Sequence, residues 1–256
     1  MITIKNKVAI QKMETAGALL AQIMSDISEI IVPGISTLEI DTWIDLEMQR
    51  RNLVPKTKGY FGYKHSSCIS INDEVVHGVP SKSKVLANGD LVKIDVCASW
   101  NDYCADMARC FFVGNVNKDI KELVSVAQCA LDKGISKAKV GNRLSDISAA
   151  IQEEVEKYKF GVVRDFAGHG IGKKMHEDPE ILNYGKPGNG PILKAGMTFA
   201  IEPMITFGNY DVYVCNDGWT VKTKDRSFAA HVEDTVLITE NEPKVLTRIS
   251  VKESIV

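Results

Sequence analysis

Apolar residues recur at helical spacing through the first part of the chain. Between residues 8 and 31 they fall three or four positions apart, which predicts an amphipathic helix that ends at Pro33 and Gly34. Ser36 and Glu39 have the spacing of a capping box ahead of a second apolar stripe, so a second helix follows. Three strand-like runs come next, at residues 68–71, 91–96 and 108–113.

The same order of elements begins again 107 positions later. This shift carries Gly34 and Glu39 onto Gly141 and Asp146, and residues 89–95 onto residues 196–202. Chance similarity between two generic helix-to-strand units is the alternative. Duplication is the simpler account, and it predicts one catalytic α/β domain over residues 1–256, with halves at about 1–115 and 116–256. In the second half, residues 216–219 predict a hairpin turn.

Composition and charge exclude several partners. The chain has 31 basic and 33 acidic residues, so its formal charge of −2 favours neither nucleic acid nor an anionic membrane. No apolar run is long enough to span a membrane, and the N-terminal residues do not have the pattern of a signal peptide. The six cysteines show no metal-binding or disulfide spacing, which is typical of free thiols in a reducing cytoplasm.

Four carboxylates stand at the ends of predicted strands, two in each half. Asp95 and Glu202 close equivalent apolar runs, Asp106 comes just before a run, and Glu233 precedes another. Four ionised carboxylates in one core need compensating positive charge. With His169, which lies between two glycines, they form a hard, oxygen-rich ligand set that suits a pair of divalent ions. The alternative is that each carboxylate is an ordinary cap or ion-pair partner.

Two further histidines are candidates for a site. His77 lies in a glycine–proline turn, and His176 follows His169 by seven residues in a glycine-rich loop. Taken singly, each is more often structural; beside a dinuclear site, each could position substrate or stabilise an oxyanion. The glycine-rich segment 168–174 lacks the spacing of a phosphate-binding loop, so nucleotide binding is unsupported.

The ordered set of motifs resembles the type I methionine aminopeptidases, in the bacterial form without an N-terminal zinc-finger extension. The resemblance covers residues 68–233 and implies the pita-bread fold, an α/β (α+β) architecture with two pseudo-symmetric halves around a central antiparallel-rich sheet. The matching segments are Cys68-Ile-Ser-Ile-Asn72, Val76-His-Gly-Val-Pro80, Asp90-Leu-Val-Lys-Ile-Asp-Val96, Gly168-His-Gly-Ile-Gly172, His176-Glu-Asp-Pro179, Phe199-Ala-Ile-Glu-Pro203 and Lys222-Thr-Lys-Asp-Arg-Ser227.

The resemblance also implies roles for individual residues. Asp95, Asp106, His169, Glu202 and Glu233 would bind two divalent ions, either Co²⁺, Mn²⁺, Fe²⁺ or Zn²⁺, with Asp106 and Glu233 bridging them. Glu202 would also relay a proton, and His77 and His176 would contact substrate. The methionine pocket would be lined by Tyr60, Tyr63, Cys68, Met175 and Trp219, for which ordinary core packing is the alternative.

Two positions depart from the family pattern. An aromatic residue often precedes the second substrate-contacting histidine, and here that position is Met175. The position two before the last glutamate is commonly an amide, and here it is His231. In a strand, His231 would point to the same face as Glu233 and alter the electrostatics of the site.

The implied activity is removal of the N-terminal methionine from nascent polypeptides when the second residue is small and uncharged. The resemblance further implies a cytoplasmic monomer that acts on neither nucleic acid nor membrane, and it leaves association with the ribosome open. One rival is an aminopeptidase acting before proline, or a dipeptidase, on the same fold. The other is a metal-free binding protein, a class that typically lacks the metal ligands.

Overall fold

The computed structural model describes residues 1–249, and the elements below are those of this part of the chain. In each half of the chain two helices come first and a series of strands follows. The helices are α1 (Lys7–Asp26), α2 (Thr37–Arg50), α3 (Lys118–Lys137) and α4 (Leu144–Glu156). The strands are β1 (Val54–Pro55), β2 (Cys68–Ile71), β3 (Leu91–Trp100), β4 (Tyr103–Phe112), β5 (Gly161–Val162), β6 (Gly168–Gly170), β7 (Glu177–Ile181), β8 (Thr198–Ile201), β9 (Met204–Thr206), β10 (Val212–Val214), β11 (Val221–Thr223), β12 (Ala229–His231), β13 (Glu233–Leu237) and β14 (Lys244–Val245).

The first two helices begin at side-chain caps. The Asn6 side chain accepts a hydrogen bond from the backbone N–H of Ala9 at 2.9 Å and starts α1. The predicted capping box of α2 is confirmed, because the Ser36 hydroxyl and the Glu39 carboxylate each accept from the other's backbone. The first helix is shorter than predicted: α1 ends at Asp26 and a 3₁₀ turn follows.

Nine strands form one antiparallel sheet that crosses both halves of the chain. Its main path runs β1-β3-β4-β13-β8-β6-β7, while β2 pairs with β3 and β14 with β13. A second sheet of three strands has the order β12-β9-β5. The hairpin predicted around residues 216–219 is confirmed, since β10 and β11 pair across this turn.

The two central strands of the first half are longer than the hydrophobic runs suggested. Residues 91–100 and 103–112 form a continuous hairpin that turns at Asn101 and Asp102, both with positive φ. The prediction that Asp95 closes its strand and Asp106 precedes one is therefore wrong, since both lie inside strands. A polar residue within an apolar run resembles a strand end, whereas Asp95 and Asp106 face a cavity from within the sheet.

The four helices cover one face of the large sheet. Residues of α1 and α2 pack against Val92, Ile94 and Val96 of β3 in one buried cluster. Residues of α3 and α4 pack against Phe199 and Ile201 of β8 in another. The opposite face of the sheet carries the five candidate metal ligands.

Matching contacts recur in the two halves at the 107-residue shift. The Glu39 carboxylate accepts from the backbone N–H of Ser36 at 2.9 Å, and that of Asp146 from Arg143 at 2.8 Å. The isolated bridges Ser36–Val85 and Arg143–Ile192 also correspond at this shift. The boundary near residue 115 and the single catalytic domain stay predictions. None of the helices among residues 1–249 is long and apolar enough to cross a membrane.

Candidate metal centre

Five neighbouring strands of the large sheet each bring one predicted ligand to the same face. In the order β3, β4, β13, β8 and β6, these are Asp95, Asp106, Glu233, Glu202 (the residue after β8) and His169. The strand register fixes the common face, because Asp95 and Glu233 both pair with Ala108, and His169 pairs with Ala200. Thr235 lies on the same face of β13 as Glu233 and pairs with Ala200, which joins the first set of paired residues to the second. All five side chains therefore point to one side of the sheet.

The candidate ligand atoms of these residues lie close together. Nε2 of His169 lies 3.6 Å from Oε1 of Glu202 and 4.0 Å from Oδ2 of Asp106. Asp106, His169 and Glu233 each offer one ligand atom within 4.8 Å of the other two. Asp95 lines the same cavity but lies outside this group.

Burial makes the free carboxylates costly to ionise. It raises the pKa of Glu202 to about 8. Burial, and then the charge of Glu202, raise the pKa of Asp106 to about 8. Burial and the charge of Asp106 hold the pKa values of Asp95 and Glu233 well above their ordinary range. These four groups can all be ionised at neutral pH only if positive charge is bound among them.

Orphaned buried atoms indicate where that charge belongs. Within the described residues, Oδ1 of Asp106, Oε1 of Glu233 and Nε2 of His231 are buried without a hydrogen-bond partner. Such atoms are costly in a folded protein unless an ion, water or ligand satisfies them. Oxygen-rich donors with imidazole nitrogen suit divalent first-row metals, so the residues present fit such ions.

The tautomer of His169 is suited to a metal ligand. Its Nδ1 lies 3.0 Å from the carbonyl oxygen of Gly170, which can only accept, so Nδ1 carries the proton. The lone pair of Nε2 therefore faces the carboxylates. Burial lowers the pKa of His169 to about 3, so the imidazole is neutral.

His231 lies against Glu202 in the position expected from strand alternation. Its Nε2 is 3.3 Å from Oε2 of Glu202, and it forms a second compact group of potential ligands with Glu202 and Glu233. Burial lowers the pKa of His231 to about 4. The side chain is 1% exposed, so it acts inside the site.

The glycines beside His169 serve the sheet. The segment predicted as a loop is the short strand β6, held between β7 and β8. A Cβ on Gly168 would meet the carbonyl oxygen of Ala200, and one on Gly170 would meet that of Asp178. The absence of a side chain at these two glycines therefore allows the neighbouring backbone to approach closely.

A cavity of about 870 Å³ opens above the ligands and brings together all twelve predicted site residues. His77 and His176 line it, and Oη of Tyr60 lies 2.8 Å from Nδ1 of His176. Burial, followed by the charges of His231 and His176, lowers the pKa of His77 to about 4. The remaining lining residues of the predicted methionine pocket are Tyr63, Cys68, Met175 and Trp219.

Tyr63 and Phe166 build two walls of the cavity. The Tyr63 hydroxyl donates to the carbonyl oxygen of Ser67 at 3.0 Å, and its ring meets that of Trp219 edge-on at 5.0 Å. Phe166, which is not among the predicted site residues, packs edge-on against His77 at 5.6 Å and lines the cavity. Its place three residues before His169 is the signal that could have identified it.

The sequence of this chain is similar to those of known metallopeptidases. The model of metallopeptidase family M24 matches residues 11–240. A methionine aminopeptidase of Clostridium acetobutylicum is 46% identical over 247 residues, which cover 96% of this chain and 99% of that protein.

Similarity to solved structures confirms the predicted pita-bread fold. The crystal structure of methionine aminopeptidase from Thermotoga maritima gives a TM-score of 0.95 at 45% identity, covering 97% of this chain and 100% of that one. A prolidase from Pyrococcus furiosus gives 0.77 at 28% identity, covering 96% of this chain and 66% of that one.

Proposed function

This chain belongs to metallopeptidase family M24 and, within it, to the methionine aminopeptidases, and on that basis we propose the finer details of its metal centre and substrate. It is a metal-dependent exopeptidase that removes N-terminal methionine. The proposal is a centre of two divalent ions acting on nascent polypeptides whose second residue is small and uncharged. The observation that supports this proposal most directly is that five neighbouring strands place four carboxylates and one imidazole in a single cavity.

Two ions would share these ligands. Asp106 and Glu233 would contact both ions, while Asp95, His169 and Glu202 would complete the ligand set. The buried oxygens of Asp106 and Glu233 that lack partners support this arrangement. Co²⁺, Mn²⁺, Fe²⁺ and Zn²⁺ all suit the donor set, and the metal content of purified protein identifies the one used.

The chain's own residues move the proton and hold the substrate. The bound ions would supply Lewis acidity, which polarises a carbonyl and lowers the pKa of water towards about 7 in zinc enzymes. The Glu202 carboxylate accepts a proton from the attacking water and delivers it to the leaving amine. His176 donates a hydrogen bond to the developing oxyanion, and His77 positions the substrate beside it.

The cavity selects methionine and a small neighbour. Tyr60, Tyr63, Cys68, Met175 and Trp219 surround the methionine side chain, and the edge-on contact of Tyr63 with Trp219 supports a preformed pocket. Met175 provides a flexible wall where relatives often have an aromatic ring. The rim limits the second residue, so large side chains bind poorly there.

The enzyme acts as a monomer in the cytoplasm. The six cysteines are free, as suits a reducing compartment. Association with the ribosome follows from the nascent substrate, and cosedimentation with translating ribosomes tests it.

Metal reconstitution tests the proposed function. Protein stripped with chelator is titrated with Co²⁺, Mn²⁺, Fe²⁺ or Zn²⁺, one at a time, and assayed on Met-Ala-Ser, Met-Leu-Ser and the dipeptide Ala-Pro. We expect no activity without metal and methionine release from Met-Ala-Ser after its return. The value of kcat/KM for Met-Leu-Ser should be lower by at least about tenfold, a barrier difference of about 1.4 kcal/mol.

The same assay separates the rival activity. A prolidase-like enzyme would cleave Ala-Pro in preference to Met-Ala-Ser. Equal kcat/KM values for Met-Ala-Ser and Met-Leu-Ser would contradict the proposed selectivity. Full activity with one ion per chain would contradict the dinuclear centre.

A further inference from the structure

The two histidines of the segment 169–176 differ in what faces their Nδ1 atoms. Nδ1 of His169 meets a backbone carbonyl oxygen, whereas Nδ1 of His176 meets the hydroxyl oxygen of Tyr60 at 2.8 Å. A carbonyl can only accept a hydrogen bond, while a hydroxyl can also donate one. The two imidazoles pack edge-on, with ring centroids 4.4 Å apart, so different partners set the protons of two adjacent rings.

We propose that Tyr60 is a positioning residue that holds the proton of His176 on Nε2. The Tyr60 hydroxyl donates to Nδ1 of His176, so Nε2 keeps the single N–H of the neutral ring and directs it to the substrate carbonyl. This inference rests on the proposed role of His176. It adds a function for Tyr60 that contact with the methionine side chain does not require.

The direction of this hydrogen bond follows from the chemistry of the two groups. A phenolic hydroxyl is a stronger donor than a neutral imidazole N–H, and an imidazole nitrogen is a stronger acceptor than a phenolic oxygen. Among the described residues, Oη of Tyr60 makes its hydrogen bond to His176 and to no other group. Its proton is therefore available for Nδ1.

The backbone around Tyr60 fixes the hydroxyl in place. Gly59 and Phe61 have φ values of 92° and 44°, so Tyr60 lies on a tight 3₁₀ turn between two left-handed residues. The rings of Tyr60 and Phe61 pack edge-on at 4.7 Å, and those of Tyr60 and His176 at 5.2 Å. Positive φ at a residue such as Phe61 is costly and is often retained beside functional sites.

As a consequence, the two histidines have different roles. His169, protonated on Nδ1, presents a lone pair to the metal site. His176, protonated on Nε2, presents an N–H to the substrate. The same side chain can thus serve as a ligand and as a hydrogen-bond donor within one cavity, because one second partner is an acceptor and the other a donor.

Nitrogen NMR tests the proton positions directly. Zinc-loaded enzyme labelled with ¹⁵N at histidine is examined at pH 8 by long-range proton–nitrogen correlation, and His176→Gln assigns the His176 signals. We expect Nδ1 of His176 to be unprotonated and Nε2 to carry the proton. In Tyr60→Phe, which keeps the ring, the Nδ1 resonance should shift towards that of a nitrogen without a hydrogen-bond partner.

Kinetics on the same variants tests the consequence. Tyr60→Phe should lower kcat on Met-Ala-Ser about 5- to 10-fold, as expected for one neutral hydrogen bond, with KM within about 2-fold. Zinc content should not change. Tyr213→Phe is the matched control, because it removes the same hydroxyl from an exposed tyrosine that does not line the cavity, and it should leave both the Nδ1 resonance and kcat as in the unmodified enzyme.

Three results would overturn the inference. They are a proton on Nδ1 of His176 in the unmodified enzyme, an unchanged Nδ1 resonance and kcat in Tyr60→Phe, and a Tyr60→Phe defect confined to KM or zinc content. These outcomes are distinct from failure of the proposed function. The NMR measurement needs no substrate, and an unmodified enzyme that releases no methionine would refute the function itself.

Discussion

Individual side chains in the cavity differ in what they contact, and those contacts separate ligands from residues that act on substrate. His169 faces Asp106 and Glu202 with a free lone pair. His176 is hydrogen-bonded to Tyr60 and is more exposed than His169. The two histidines lie seven positions apart, and the local sequence alone does not show which of them binds metal.

Alanine substitution should distinguish these two histidines. His169→Ala removes a ligand, so metal content and activity should fall together. His176→Ala should keep its metal and lose kcat about 10²–10³-fold, the usual cost of one oxyanion donor. Elemental analysis with steady-state kinetics measures both; metal loss in His176→Ala, or its full activity, would refute the assignment.

His231 should position Glu202 through a close polar contact, although its Nε2 makes no hydrogen bond to the described residues. The 3.3 Å contact between Nε2 of His231 and Oε2 of Glu202 leaves Oε1 of Glu202 towards His169. His231→Gln keeps a donor and should hold metal affinity within a few-fold. His231→Leu should weaken it about 10- to 100-fold, as is usual when a partner of a metal ligand is lost. Equal metal affinities in the two variants, measured by competition with a chelating dye, would disprove this role.

Among the elements, the strands carry most of the site and were the least completely predicted. The apolar runs identified where β3 and β4 lie. They did not indicate that β3 continues past Asp95, or that β4 begins before Asp106. Hydrophobic periodicity marks the helix-facing side of a strand, and a polar residue on the other face resembles a strand end. The candidate ligands could be identified because carboxylates that interrupt apolar runs are unusual.

Tertiary contacts account for what the sequence could not indicate. No sequence motif indicates a partner for His65, yet its Nδ1 lies 2.9 Å from the buried Asp41. The bond between Tyr60 and His176 joins residues 116 positions apart. No local pattern encodes such pairings, because they arise when separate loops meet above the sheet.

The short strand β6 should tolerate no side chain at Gly170. A Cβ there would meet the backbone oxygen of Asp178 in β7, so Gly170→Ala must open the strand pairing beside His169. We expect a loss of about 1–3 kcal/mol in unfolding free energy, with weakened metal binding. Gly172→Ala is the control, since its Cβ would meet the ends of the Lys5 and Glu177 side chains. Equal urea midpoints for the two variants would contradict this account of β6.

In the molecule as a whole, the sheet brings like charges together and its stability must reflect this. Without metal, folding raises the pKa of Asp106 and of Glu202 to about 8. Near neutral pH the folded protein therefore keeps protons that the unfolded chain has released. The contribution of this proton binding to the unfolding free energy is lost as pH rises towards 8. His169 and His231 act in the opposite sense, but their contribution is constant above their ordinary pKa of 6.5.

The unfolding free energy of metal-free protein should consequently fall between about pH 6.5 and pH 8. Urea unfolding in the presence of chelator measures it. Saturation with Co²⁺ should stabilise the protein more at pH 8 than at pH 6.5, because the metal binds ionised carboxylates. A metal-free protein that becomes more stable over this interval would show that the carboxylates are not buried together.

Anomalous diffraction from crystals grown with Co²⁺ locates the ions themselves. The account predicts two strong peaks in the cavity, both within bonding distance of Asp106 and Glu233. Asp95 should bind at one peak, and His169 with Glu202 at the other. A single peak, or peaks whose ligands exclude Asp106 and Glu233, would contradict the two-metal centre on which the proposed chemistry depends.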